Sequence, residues 1–267
     1  MPAPLRYAIS LLTVIPVGRR PITLAPGKAG SAIALAPLIG VLLWLPAAGV
    51  QVGTRILLPN TASLVPPLLA LATLALLTGG LHLDGLADFA DGLGSRRPPA
   101  EALAIMKDSA IGALGAATLI FVIIFQVASL ELAIARHHGT VALLTSVLAG
   151  RLAVVQACRS GIPAAREDGL GARVIGSVSA LRAGVVTVAV FVVAGVAGKL
   201  DVDGGRLRES VHAMFAVFCA VIVAALLRRL AVRRFGGMTG DVFGALIEIA
   251  AAVDLFVMAI PAPVWLH

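Results

Sequence analysis

Charge is scarce in this chain: of 267 residues only 13% are charged, while 59% are hydrophobic. Soluble domains run near about 25% charged and about half apolar, so lipid rather than water is the expected solvent. Aromatic residues are few, with nine Phe, two Trp and one Tyr. No basic stripe with interleaved aromatics exists, so the net charge of +7 is not the footprint of a nucleic-acid surface. Cysteine is nearly absent. Cys158 and Cys219 are isolated in apolar surroundings, which excludes a disulfide framework and makes them small packing residues. Three catalytic signatures are also missing: GxxxxGK[ST], GxSxG and HExxH. A signal peptide is not expected either, because the apolar stretch 5–17 is short, contains Pro16 and lacks an A-x-A-like site. It reads as an interfacial or re-entrant piece.

Long charge-free runs are what the chain does have. None of its charges falls between Lys28 and Arg55, or between Arg55 and Asp84. Each gap exceeds the ~20 residues that cross a ~30 Å hydrocarbon layer. The spacing of charges predicts an all-α polytopic membrane bundle of about seven transmembrane helices. They fall near 30–52, 64–82, 110–130, 140–158, 181–198, 211–228 and 242–260. Residues 1–267 form one transmembrane domain, opening with a cytoplasmic or interfacial segment, 1–28. With the N-terminus in the cytoplasm, 14 Lys and Arg fall inside and 5 outside, Arg151 and Arg182 lying in or beside spans. That bias is the positive-inside pattern. The polar loops about 82–109, 159–180 and 228–241 then share the cytoplasmic face, where they can build one site.

The stretch 79–94 reads GGLHLDGLADFADGLG and holds Asp84, Asp88 and Asp91 at i, i+4 and i+7. On a helix these share a face. Three carboxylates side by side near a membrane repel unless a cation is shared among them. Oxygen-only ligands favour Mg²⁺ or Mn²⁺ over Zn²⁺. His82, two residues ahead, could be a weaker ligand or a proton carrier. The alternative is an ordinary solvated helix end. The chain, however, has only 14 acidic residues, and three of them fall within eight positions free of Lys and Arg.

Three further clusters surround this one. MKDSAIG at 106–112 offers Lys107, Asp108 and Ser109, with Ser109 a candidate cap for the next helix. GGMTGDVFGALIE at 236–248 offers Thr239 and Asp241 at the start of the last span, Asp241 being a further candidate ligand. Glu248 lies two turns on, either in the site or as a structural acid paired with an Arg. PAAREDGLG at 163–171 offers Arg166, which either binds a phosphate bidentately or pairs with Glu167 or Asp168. Carboxylates for a metal, basic groups and Gly-rich turns are what phosphoryl transfer requires. The His137–His138 pair lies on the opposite side as a polar turn. Arg228, Arg229, Arg233 and Arg234 serve as a topology anchor near anionic lipid.

These motifs resemble those of the cobalamin synthase family, the adenosylcobinamide-GDP ribazoletransferases of the bacterial inner membrane. The likeness rests on HLDGLADFADGL at 82–93, MKDSAIGALGA at 106–116, REDGLG at 166–171, GGMTGDVFGA at 236–245 and the opening ISLLTVIPV at 9–17. It covers nearly the whole chain in the family's order. Two positions depart: Ala110 where the family usually has Arg, and Val14 where a basic residue is common.

The resemblance implies a Mg²⁺-dependent transferase in the cell membrane. A hydroxyl of α-ribazole, or of its 5′-phosphate, would attack adenosylcobinamide-GDP, releasing GMP and forming adenosylcobalamin or its 5′-phosphate. Within it, Asp84, Asp88, Asp91 and Asp241 are the expected metal ligands. Lys107, Asp108, Ser109, Arg166, Thr239 and Glu248 are the expected substrate contacts. Asp91 or His82 would accept the proton. Whether the chain forms a homo-oligomer is left open. The alternatives are a CDP-alcohol phosphotransferase of lipids, whose acidic motif has similar spacing, and an ion-coupled secondary transporter.

Overall fold

The computed structural model describes residues 1–18, 27–58, 64–167, 169–201 and 207–261. Arg19, Arg20 and Arg206, counted above among the loop charges, and Asp168 lie outside the described residues. Within them the chain is helical and has no strand. In order the helices are α1 (Ala3–Leu12), α2 (Ala29–Ile33), α3 (Ala36–Leu57), α4 (Val65–Leu77), α5 (Leu81–Gly94), α6 (Pro99–Ile105), α7 (Ala113–Ala135), α8 (Gly139–Ala157), α9 (Gly169–Ala172), α10 (Ala180–Lys199), α11 (Leu207–Phe235) and α12 (Gly240–Ala259).

Six segments are long and apolar enough to cross a membrane: α2 with α3, then α7, α8, α10, α11 and α12. The expected second span differs. α4 and α5 pass the same test only together, and they meet at 90°. Hydropathy does not register this break, which the backbone makes at Gly79 (φ 62°) and Gly80 (φ 71°). Both are left-handed conformations that side chains other than glycine adopt at a cost. The opening segment supports the corner, since Val14 donates its N–H to the Leu77 carbonyl at 2.9 Å. A Cβ on Gly79 would sit 2.4 Å from the Val14 side chain.

α8 and α12 form the centre, with α3, α5, α7, α10 and α11 packed around them. α8 has no distinct polar face and is buried along nearly its whole length, as a helix enclosed by other helices should be. Small residues set the spacing. A Cβ on Gly150 of α8 would come within 2.9 Å of the Ile247 carbonyl on α12, and one on Gly198 of α10 within 2.5 Å of the Glu209 carbonyl on α11. This is how membrane helices gain contact without a hydrophobic driving force between them. Large apolar side chains such as Phe121 and Ile124 on α7, Val188 on α10 and Phe218 on α11 face outward. A belt of that kind is stable only against lipid. The chain is a multi-pass helix bundle.

Candidate active site

Two glycines bring α5 onto α12. A Cβ on Gly85 would lie 2.8 Å from the Asp241 carbonyl, and one on Gly244 would lie 2.7 Å from the His82 carbonyl. Backbone therefore meets backbone, and the acidic face of α5 is held beside the first turn of α12. Thr239 fixes that turn. Its hydroxyl accepts from the Val242 N–H at 3.3 Å and donates to Asp241 Oδ2 at 3.2 Å. Both capacities of the hydroxyl are thereby used.

The loop carrying Arg166 joins the same place. Ala165 N–H donates to the Met238 carbonyl and Met238 N–H to the Pro163 carbonyl, each at 2.9 Å. Arg166 then reaches back to donate to the Leu103 carbonyl of α6. α9 closes the end of α12, where a Cβ on Gly171 would stand 2.8 Å from the Gly240 nitrogen. Asp84, Arg166, Thr239 and Asp241 line one cavity of about 230 Å³. Its other walls include Leu11 and Leu12 of α1, His82, Val154 of α8, the α9 region, Met238, and apolar residues of α12.

The carboxylates act on one another. Partial burial pushes Asp88 up to about 7, followed by repulsion from Asp84, Asp241 and Asp91, with Arg166 opposing. A carboxyl raised first by burial and then by neighbouring carboxylates lies where a cation would be stabilised. Among the described residues no three His, Cys, Asp or Glu side chains are placed so as to enclose a metal ion. Mg²⁺ bound through one or two carboxylates, waters and substrate phosphates does not require such a cluster. The donor set of Asp84, Asp88 and Asp241 is all oxygen, hence chemically matched to it.

The structure turns Asp91 elsewhere. Its Oδ2 accepts from Gly112 N–H at 2.7 Å and its Oδ1 from Gly115 N–H at 2.8 Å. Asp91 thus serves as the cap of α7, borrowed from another helix. Ser109, expected to cap α7, does not, for Gly112 holds the N-cap position with no side-chain cap bond of its own. Lys107, Asp108 and Ser109 are exposed in the turn after α6. Asp108 lines a shallower cavity beside Asp91, and none of the three lines the cavity of Asp84 and Asp241.

Glu248 also lies apart. It accepts from Gln126 Nε2 at 2.9 Å and shares a second cavity, between α4, α7, α8 and α12, with Arg151. Of the two roles the residue types allowed, this placement matches the structural acid facing an Arg. His82 is only 4% exposed, lines both cavities, and its Nε2 has no hydrogen-bond partner. The intramembrane polar groups that sequence reasoning passed over are Gln126 and the Thr145–Asp254 pair, the latter at 2.6 Å. Both bonds join residues more than a hundred positions apart, a pairing that local spacing does not signal. His138, read as part of a polar turn, instead bonds Asp201 at 2.6 Å at the other end of the bundle.

Residues 4–259 match the family described as cobalamin-5-phosphate synthase. The chain belongs to that family. A relative from Frankia casuarinae, named adenosylcobinamide-GDP ribazoletransferase, is 45% identical over 97% of this chain and 96% of its own. Relatives of the same name from Bradyrhizobium diazoefficiens and Nocardioides are 38% and 36% identical, covering 96% and 95% of this chain and 93% and 97% of theirs. No solved structure matches the chain.

Proposed function

We infer that this chain is an adenosylcobinamide-GDP ribazoletransferase and performs the last joining step of cobalamin assembly. A hydroxyl of α-ribazole, or of α-ribazole 5′-phosphate, attacks the phosphoryl group attached to adenosylcobinamide. Adenosylcobalamin, or its 5′-phosphate, forms and GMP leaves. The observation that carries this reading is the convergence of Asp84, Asp241 and Arg166, from three separate segments, at one cavity, with Asp88 close enough to interact electrostatically with all three.

In this reading Mg²⁺ is the cofactor, and one or two of Asp84, Asp88 and Asp241 would hold it together with substrate phosphates. Bound there, it would neutralise charge on the phosphoryl oxygens. Asp91 could join only with the lone pairs that its two bonds to α7 leave free. Among the described residues lining the cavity, Arg166, steadied by Leu103, is the Lys or Arg placed to meet the diphosphate. Thr239 orients Asp241. Asp84 and Asp241 are also the carboxylates lining the cavity in which an attacking hydroxyl would lose its proton. His82 is buried, and Asp91 is occupied with α7, which leaves each less access to that proton than the sequence suggested.

The site would face the cytoplasm of the bacterial inner membrane, a placement supported by the 14 to 5 distribution of Lys and Arg. Surrounding lipid and α-ribazole or its phosphate are then its partners, with adenosylcobinamide-GDP as donor. The transporter alternative predicts charges near mid-membrane and discontinuous helices. The acids of this site, Asp84 and Asp241, instead stand in the first turns of α5 and α12. Purified protein given adenosylcobinamide-GDP and α-ribazole should release GMP. Release of CMP from a CDP-alcohol, with none of GMP, would replace this reading with the lipid one.

A further inference from the structure

The cavity beside Asp84 and Asp241 has two chemically different ends. Its exposed end carries the charges: Asp84, Arg166, Asp241 and the backbone of Gly169 and Gly240. Its buried end is walled by Leu12, Val154, Val174, Met238, Phe243 and Ile247, each at most 9% exposed. These six come from α1, α8, the turn after α9, the turn before α12 and α12 itself, so no single helix dictates the apolar surface.

Two polar side chains reach the buried end. Thr239 has committed its hydroxyl to Val242 and Asp241. His82 has not, and its imidazole retains an unpartnered nitrogen. The buried end therefore offers aliphatic and aromatic contact with one uncommitted hydrogen-bonding ring.

We propose that this end is the subsite for the dimethylbenzimidazole base of the acceptor nucleoside, with the ribose directed at Asp84 and Asp241. The inference rests on the substrates assigned above. Guanine, the competing base, carries an amide N–H, an amino group, a carbonyl and a ring nitrogen along its edges. Burying such groups among aliphatic side chains without partners is unfavourable. Dimethylbenzimidazole linked to ribose keeps one free ring nitrogen, which the His82 ring can serve, and presents two methyl groups and a fused bicycle to the apolar wall. Size agrees. At about 230 Å³ the cavity is smaller than the ~300–1,000 Å³ typical of sites that enclose a drug-sized ligand. It takes one fused ring and leaves ribose, diphosphate and corrin at the charged mouth.

The test is equilibrium binding of α-ribazole, followed by its benzimidazole fluorescence, to the full chain in nanodiscs. Val154→Phe, which fills the buried end from α8, should weaken binding at least tenfold, and guanosine should not compete. On the unaltered protein, the riboside of unsubstituted benzimidazole should bind roughly tenfold more weakly, from the loss of two buried methyl groups. That comparison stands even if Val154→Phe fails to fold. Displacement of α-ribazole by guanosine, or indifference to the methyl groups, would overturn the subsite. Failure of the proposed reaction is seen separately, as absence of GMP release when the unaltered protein has both substrates.

Discussion

Gly112 donates its backbone N–H to the Asp91 carboxylate at 2.7 Å, and the other oxygen of Asp91 takes the Gly115 N–H at 2.8 Å. The first turn of α7 is thus closed by an acid on α5. A Cβ on Gly112 would fall 2.3 Å from Asp91 Oδ1, so the glycine makes room for the carboxylate. Asp91 then acts on α5 and α7 as a fixed joint, while Asp84, two turns earlier, stands exposed at the cavity.

Asp91→Asn and Asp84→Asn should therefore fail differently. An asparagine can accept from one amide, but its NH₂ group opposes the other. The loss of one cap bond costs about 1 kcal/mol, read as a lowered melting temperature. Asp84→Asn should leave the melting temperature unchanged while turnover disappears. Equal stability in the two variants would contradict the capping role.

Gly85→Ala tests the contact that builds the site. The added Cβ would meet the Asp241 carbonyl at 2.8 Å, and no flexible side chain can yield. Overpacking of this kind costs about 1–3 kcal/mol. Melting temperature and turnover should both fall. In Gly49→Ala, where a Cβ meets nothing within 4 Å, neither should change.

Asp88 gives the apo protein a characteristic pH dependence. Its carboxyl is raised from 3.8 to about 7 in the fold, so the ionised form is the one the fold disfavours. That contribution to stability is complete below about pH 4 and is lost as pH rises through about 7. Thermal melts without metal should shift downward between pH 5.5 and pH 8. Mg²⁺ should restore stability at pH 8, and Asp88→Asn should flatten the profile. A flat profile in the unaltered protein would count against crowding of the carboxylates.

Orientation can be read chemically. In a Cys219→Ser background, with Cys158 buried, Ala100→Cys in the first turn of α6, ahead of α7, and Ala135→Cys at the end of α7 place exposed thiols on either side of the α7 span. An impermeant maleimide added to intact cells should label the second and spare the first. The reverse pattern would place the site outside.

Much of the site was legible because charges are scarce in this chain. An acid in such a sequence has few ordinary surface roles, so Asp84, Asp88 and Asp241 stood out. Arg166 kept an ordinary ion-pair reading until its loop was seen to join the cavity. The spacing of Asp91 gave its face on α5 but not what that face meets, which is the start of α7. The corner between α4 and α5 escaped hydropathy because Gly79 and Gly80 change direction without changing polarity. Glu248 kept two meanings until Gln126, 122 residues away in sequence, was seen to hold it. Ser109 sat at the right distance from α7 to cap it, yet the carboxylate of Asp91 occupies that place.

The most direct measurement is a Mg²⁺ titration of GMP release from adenosylcobinamide-GDP and α-ribazole. The unaltered protein should be inactive without the metal and saturate as it is added, while Asp84→Asn and Asp241→Asn stay inactive throughout. Full turnover in a chelator, or a normal Mg²⁺ response in Asp84→Asn, would contradict a metal held by these carboxylates.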